Sequence, residues 1–232
     1  MPLKKTSGNM YSFITHTWNP VKGKCGYNCS YCYVKKWKKE QPLYLNKNEL
    51  RADLGMGNFI FVCSGCDLFH PDIPDKWIMK VIEHTYSGFG NRFLYHTKNP
   101  NRAVELWEEG YFGENNTTLC VTVESNIPWP GISEAPQPYD RIYAASQWPA
   151  DLMITVEPVM DFDVMTFSEM ILSCATVQVN IGADSLRKNL PEPSQEKLEN
   201  LIDLIAPQTK VHLKKNLRRL LPEHELYGRE YA

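Results

Sequence analysis

Cys25-Gly26-Tyr27-Asn28-Cys29-Ser30-Tyr31-Cys32 sets the reading of the whole chain. The spacing is C-x3-C-x2-C with an aromatic residue before the last cysteine, and it converges three thiolates on one side of a tight loop. A structural zinc site takes four protein ligands and a conventional four-iron cluster takes four cysteines, so three thiolates leave one metal position free for an outside ligand. An open coordination position is where metal chemistry takes place.

The rest of the chain narrows the setting. At 232 residues and 43% hydrophobic content it is long enough to bury a sizeable core, as one α/β barrel domain over 1–232. The longest apolar runs, such as Phe59 to Cys63 and Leu152 to Val156, are strand-sized and fall far short of the roughly 20 residues of a membrane span. Met1 to Met10 is mostly polar and carries lysine, unlike a signal region, so a cytoplasmic protein with no membrane partner is expected. Seven cysteines in that compartment point to metal or redox work instead of disulfides, with Cys120 and Cys174 read as buried small hydrophobes.

Short β-rich segments alternate with helical ones at βα intervals. The pattern predicts strands over Tyr11–Trp18, Asn58–Cys63, Arg92–Thr97, Thr118–Glu124, Asp151–Glu157, Thr176–Ile181 and Lys210–Leu213. It predicts helices over Ser30–Lys39, Asp75–Tyr86, Pro100–Glu109, Tyr139–Gln147, Thr166–Ser173 and Gln195–Ile205. Trp77, Ile78, Val81 and Ile82, like Leu198, Leu201, Ile202 and Ile205, recur at helical spacing and read as core faces. The expected fold class is α/β, a partial (open) TIM-type parallel barrel of six or seven βα units.

The C-x3-C-x-(aromatic)-C loop resembles the signature of the radical S-adenosylmethionine (SAM) superfamily. His16 to Val21, Ser64 to Pro71, Thr97 to Pro100, Val121 to Glu124 and Val156 to Pro158 are similar to a phage-associated radical SAM family of unassigned function. That family is related in pattern to spore photoproduct lyase, which repairs a thymine dimer. The likeness spans about residues 11–216, leaving 217–232 as a C-terminal extension. It implies a radical SAM core in which Cys25, Cys29 and Cys32 hold a [4Fe-4S] cluster and SAM chelates the fourth iron. An electron from a donor such as flavodoxin or ferredoxin then splits SAM to methionine and a 5'-deoxyadenosyl radical, which abstracts hydrogen from an unknown substrate. The implied reaction is a lyase-like or modification reaction.

In a parallel α/β barrel the functional groups gather where strands end and βα loops begin. Polar residues stand at each predicted end: Asn19, Ser64 and Asp67, Lys98, Glu124 and Ser125, Glu157, Asp184, and Lys214 with Lys215. The resemblance places a glycine-rich motif ending in an acidic residue after the second strand; here Ser64-Gly65-Cys66-Asp67 departs from the usual Gly-Gly-Glu, with Ser64 and Asp67 as its stand-ins. It also makes Tyr31 the aromatic residue beside adenine. By charge, Lys98 suits the SAM carboxylate and Asp67 its ammonium, while Thr122, Glu124 or Ser125 suits the ribose hydroxyls and Glu157 faces the same opening.

Cys63 and Cys66 form a second pair, read as a partial ligand set, a redox pair, or one buried thiol plus one facing the site. Alternation favours the last, with Cys66 a candidate hydrogen donor to a substrate radical. Lys35-Lys36-Trp37-Lys38-Lys39 and the cluster Lys214, Lys215, Arg218 and Arg219 suit a nucleic-acid substrate, whereas the net charge of -2 gives no whole-molecule attraction to one. Pro128-Trp129-Pro130-Gly131 to Pro138 reads as a long βα loop, either a lid over the opening or a rigid surface excursion. His70, His84, His96 and His212 share no ligand spacing and receive no role. The alternative from another class is a structural or regulatory protein that holds an iron-sulfur group or zinc, with Cys63 or Cys66 as a fourth ligand.

Overall fold

Side-chain alternation along the strands divides the apolar residues between two faces of one sheet, and that division builds the fold. The computed structural model describes residues 3–6, 11–36, 41–113 and 116–227. Its strands are β1 (Lys4–Lys5), β2 (His16–Trp18), β3 (Val21–Lys22), β4 (Tyr44–Leu45), β5 (Phe59–Val62), β6 (Arg92–Thr97), β7 (Thr117–Thr122), β8 (Asp151–Val156), β9 (Gln178–Ile181) and β10 (Lys210–Leu213). The helices are α1 (Asp75–Thr85), α2 (Pro100–Glu108), α3 (Pro138–Ala145), α4 (Val164–Leu172) and α5 (Gln195–Ile205). Eight strands form one sheet in the order β1-β2-β5-β6-β7-β8-β9-β10, and β3 and β4 form a separate two-stranded ribbon. All neighbours from β2 to β10 are parallel, and β1 alone runs antiparallel on β2. The result is an α/β fold with an open, TIM-type curved sheet. Among the described residues no helix is long and apolar enough to cross a membrane.

On the outer face Ile60, Val62, Phe93, Tyr95, Leu119, Val121, Ile154 and Val179 pack with the apolar stripes of the helices, including Ile78, Val81 and Ile82 of α1 and Leu198, Leu201, Ile202 and Ile205 of α5. Pro100 and Pro138 start α2 and α3, where a missing N–H costs nothing. Asp163 and Ser194 cap α4 and α5 by accepting the N–H groups of Thr166 and Lys197. On the inner face Phe59, Phe61, Leu94, Cys120 and Met153 make an apolar floor. Toward the C-terminal ends of the strands the inner side chains turn polar, through His96, Thr122, Thr155 and Asn180 to Lys98, Glu124, Glu157 and Lys214.

Beyond shifts of one or two residues at element ends, several sequence expectations change. The first predicted strand contracts from 11–18 to His16–Trp18, because Ile14 closes a turn on the Tyr11 carbonyl and the Tyr11 ring enters the lumen. There its hydroxyl donates to Thr155 Oγ1 at 3.1 Å, and Lys214 Nζ lies 4.8 Å from its ring centre. The predicted helix over 30–39 is a short 3-10 turn at Tyr33–Lys36, and 37–40 lie outside the described residues. Local bonds from Cys32 N to Cys29 O and from Lys35 N to Cys32 O keep this stretch in tight i to i+3 turns. The predicted strand over 176–181 begins at Gln178, and the edge strand β1 was not expected.

Tyr11 therefore plugs the floor of the lumen. Tyr11→Phe is expected to lower unfolding free energy by about 1 kcal/mol, the worth of one hydrogen bond, and Tyr11→Ala by about 3–5 kcal/mol through the cavity it leaves. Urea denaturation measures both, and equal losses in the two variants would contradict the plug.

Candidate iron-sulfur and cofactor site

The cysteine loop leaves β3 and crosses the C-terminal mouth of the sheet. Asn28 takes a left-handed backbone (φ 48°), a conformation asparagine tolerates better than most residues. Gly26 lies flat on His70: a Cβ there would come within 2.5 Å of the imidazole. The Tyr27 ring packs against the same imidazole at a tilt of 60°, with ring centres 4.3 Å apart. His70, given no role from spacing alone, is the bed on which the loop rests.

A second segment grips the loop from above. In the β7–α3 connection, Ile132 O accepts from Ser30 N at 2.8 Å, Glu134 N donates to Tyr27 O at 2.8 Å, and Glu134 Oε1 accepts from Asn28 Nδ2 at 2.9 Å. Ser133 Oγ lies 3.1 Å from Cys29 Sγ. The proline-rich segment thus works as a clasp on the cysteine loop, a use that neither of the two sequence readings described.

Cys25, Cys29 and Cys32 pack together with Tyr27, Tyr31 and Ala135. Each sulfur has hydrogen-bond donors of its own. Cys25 shares a hydrogen bond with the Cys66 thiol, which, with the N–H groups of Tyr27 and Asp67, brings its pKa down to about 7 against the opposing effects of burial and the Asp67 charge. Cys32 is pushed up by burial, against which the N–H groups of Val34 and Lys35 act. Cys29 has the Ser133 hydroxyl. Thiolates ligating metal need such donors, so the residues fit a sulfur-ligated group. Among the described residues no three His, Cys, Asp or Glu side chains are gathered as ligands of one metal ion. A cuboidal cluster takes each thiolate on a different iron and does not require that convergence.

Around the mouth stand the other sequence-predicted residues. Glu124, 3% exposed, accepts from Lys98 Nζ at 3.0 Å, from Arg141 NH1 at 2.8 Å and from the Tyr31 hydroxyl. Burial opposes its ionisation, but the charges of Lys98 and Arg141 and the Tyr31 hydroxyl outweigh that and hold its carboxyl far below the usual range. Tyr31 itself is raised, by burial first and then by the Glu124 charge. Lys98 Nζ also lies 5.4 Å from the Tyr31 ring centre. Arg141 was not singled out in the sequence. Its signal was a cation on the buried face of α3, in register with Ala144 and Ala145.

Asp67 accepts from Lys98 N at 2.7 Å, Thr97 Oγ1 at 2.8 Å and Phe69 N at 3.0 Å, fastening the β5 loop to the end of β6. Burial nevertheless raises its pKa against those donors. Ser64 Oγ and Gly65 N both donate to Asn19 Oδ1, beside the cysteine loop. The Ser125 hydroxyl donates to Asp161 O at 2.6 Å and accepts from Ile127 N, so it builds its own loop. Thr122 Oγ1 bonds His96 Nε2 at 2.6 Å. On the far wall Lys214 Nζ donates to Glu157 Oε2 at 2.6 Å, and Asn216 Nδ2 to Glu157 Oε1 at 3.0 Å. Cys63 and Cys66 are both buried, Cys63 in a left-handed turn (φ 56°) just past β5. Of the proposed second basic cluster, Lys214 is turned inward, Arg219 is paired with Glu192, and Arg218 stacks on Tyr227 at 4.0 Å. Lys36 to Lys39, the rest of the first basic run, lie outside the residues whose side chains are described; Lys35 is exposed and donates to Asn28 O.

A protein-family profile described as "Protein of unknown function (DUF5131)" matches residues 9–170, most of the chain and all of the cysteine loop, the clasp and the Glu124 cluster. The chain belongs to the DUF5131 family. No curated protein matches it by sequence. Among solved structures, a cysteine-to-alanine variant of spore photoproduct lyase aligns over 91% of this DUF5131 chain and 80% of its own, with a TM-score of 0.63 at 11% identity. A tyrosine-to-phenylalanine variant of the same enzyme gives 0.62 at 10% identity over 91% and 80%. A doubly substituted variant, solved with bound AdoMet and dinucleoside spore photoproduct, gives 0.56 at 11% identity over 90% and 66%. At such identities the likeness establishes a shared fold.

His96 reports on the charge around the mouth. Burial, with the charges of Lys98 and Lys214, lowers its pKa from 6.5 to about 3, while Glu124 opposes the shift. The unfolded chain therefore binds a proton below pH 6.5 that the folded DUF5131 chain refuses. Stability from the neutral ring is whole above pH 6.5 and is lost as pH falls toward 3, at up to about 1.4 kcal/mol per unit. Between pH 7.5 and 5.0 the wild type should lose about 2 kcal/mol more than His96→Gln by chemical denaturation. Parallel losses in the two proteins would contradict the lowered pKa.

Proposed function

We propose that this protein is a radical SAM enzyme in which Cys25, Cys29 and Cys32 hold a [4Fe-4S] cluster and SAM takes the remaining iron. The observation that carries the reading is the set of three thiols, each met by its own hydrogen-bond donor, held over the open mouth of a parallel sheet that spore photoproduct lyase shares. When bound, the cluster supplies one electron to SAM, giving methionine and a 5'-deoxyadenosyl radical that abstracts hydrogen from substrate.

The chain's own residues supply position and charge. Lys98 uses one of its three N–H donors on Glu124 and has others for the SAM carboxylate. Tyr31, anchored through its hydroxyl on Glu124, presents its ring to the adenine. Asp67, pushed up by burial, gains ionisation when a SAM ammonium arrives beside it. Thr122, Glu124 and Ser125 are the candidates for the ribose hydroxyls, with the Thr122 hydroxyl now bonded to His96 and the Ser125 hydroxyl to its own loop. Glu157, with Lys214 and Asn216, faces the substrate from the far wall. Cys66, whose thiol meets Cys25 at the edge of the site, is kept as the candidate hydrogen donor to a substrate radical.

The substrate class we favour is nucleic acid, on the strength of the dinucleoside held by a structural relative and of Lys35 exposed beside the cysteine loop. A flavodoxin or ferredoxin in the cytoplasm would supply the electron. The structural-zinc alternative parts from this reading in one assay. Anaerobically reconstituted protein should contain close to four iron and four sulfide per chain and release 5'-deoxyadenosine when SAM and dithionite are added. Zinc in place of iron, or iron without deoxyadenosine, would overturn the proposal. Lys98→Ala should retain its iron and sulfide while binding SAM at least about tenfold more weakly, the loss of a charge-assisted contact; unchanged SAM affinity would remove Lys98 from the site.

A further inference from the structure

The three sulfurs of the cysteine loop differ in who donates to them. Cys25 meets the Cys66 thiol, which also reaches Asp67 O at 3.7 Å, and two backbone N–H groups, and Cys32 meets backbone N–H groups alone. Cys29 stands 3.1 Å from a side-chain hydroxyl, that of Ser133, which arrives from a distant part of the chain.

The orientation of that hydroxyl is constrained on every side. Ala135 N donates to Ser133 Oγ at 3.2 Å, so one lone pair is occupied from behind. The single hydroxyl proton then has two acceptors, Tyr27 O at 3.4 Å and Cys29 Sγ at 3.1 Å. A neutral thiol leaves that choice open, because either the oxygen or the sulfur can donate. A thiolate ligand has no proton of its own and carries charge, so it takes the nearer proton. The flanking bonds, Ser30 N to Ile132 O and Glu134 N to Tyr27 O, both 2.8 Å, hold Ser133 at this distance from two sides.

We propose that Ser133 is a positioning residue whose O–H···S hydrogen bond to Cys29 raises the reduction potential of the cluster that the loop holds. The inference rests on the reading given under Proposed function. The direction follows from charge: reduction adds an electron shared with the cysteine sulfurs, so a donor aimed at one of them stabilises the reduced state more than the oxidised one. Ser133 thereby connects the β7–α3 connection, with no ligand of its own, to the ease with which the cluster accepts an electron.

The test is a redox titration of the reconstituted full chain followed by electron paramagnetic resonance, with iron and sulfide measured on each sample. Ser133→Ala should load iron and sulfide as the wild type does and shift the reduction equilibrium about tenfold toward the oxidised form, which for one electron is about 59 mV to lower potential. Ser133→Thr keeps the hydroxyl and should restore the wild-type potential. Glu134→Ala removes a neighbouring clasp bond and a carboxylate charge without touching sulfur, and since loss of a negative charge favours reduction it should not lower the potential. An unchanged potential in Ser133→Ala, or an equal drop in Glu134→Ala, would overturn the inference. Should Ser133→Ala fail to load, the wild type decides: a deuterium coupling from an exchangeable hydroxyl proton near the reduced cluster supports the bond, and its absence refutes it. A wild-type chain that cleaves SAM but shows no Ser133 effect sinks this inference alone; one that assembles no cluster sinks both.

Discussion

One buried carboxylate ties the mouth of this protein together. Glu124, two residues past β7, takes up Lys98 from just past β6, Arg141 from α3 and Tyr31 from the cysteine loop. Removing such a group from water costs several kcal/mol, and the cost is offset only where partners are close and hydrogen-bonded. Two cations and a hydroxyl meet that condition, so the groups must hold their places for the carboxylate to stay ionised. The cysteine loop is therefore registered to the sheet through Tyr31, one residue before Cys32.

The loop has two further constraints, independent of the first. His70 fills the space beneath Gly26, and the segment Ile132 to Ala135 bonds it from above. A loop held on a floor, at one end and under a clasp loses little freedom when its thiols take up a metal group, which favours loading over disorder. The β7–α3 connection carries both kinds of constraint, since it begins just after Glu124 and leads into the helix that carries Arg141. Position and charge in the mouth are thus set by the same few residues.

How much of this the sequence disclosed follows from the range of each interaction. The cysteine trio and the helical stripes are local patterns, readable from spacing alone, and the parallel order of seven strands follows from alternating strand and helix. The groups at the strand ends were named because strand periodicity brings them to one rim. What escaped depends on contacts distant in sequence. The clasp joins Cys29 to Ser133, Tyr11 turns inward to reach Thr155, and Lys98 finds Glu124 instead of standing free. Over the described part of the helix expected at 30–39, residues 30–36, the helix gives way for a local reason, because loop turns around the cysteines compete with i to i+4 bonding. Lys214 and Arg219 looked like a basic surface in the sequence, but their carboxylate partners Glu157 and Glu192 lie on other segments.

The central claim is that these thiols hold an iron-sulfur cluster with one iron left for SAM. Electron paramagnetic resonance of the reduced, reconstituted protein, recorded with and without SAM, tests it most directly. The account predicts a cluster signal whose g-values and line shape change when SAM is added, because SAM becomes a ligand of the open iron. A reduced cluster with identical spectra in both samples would contradict it.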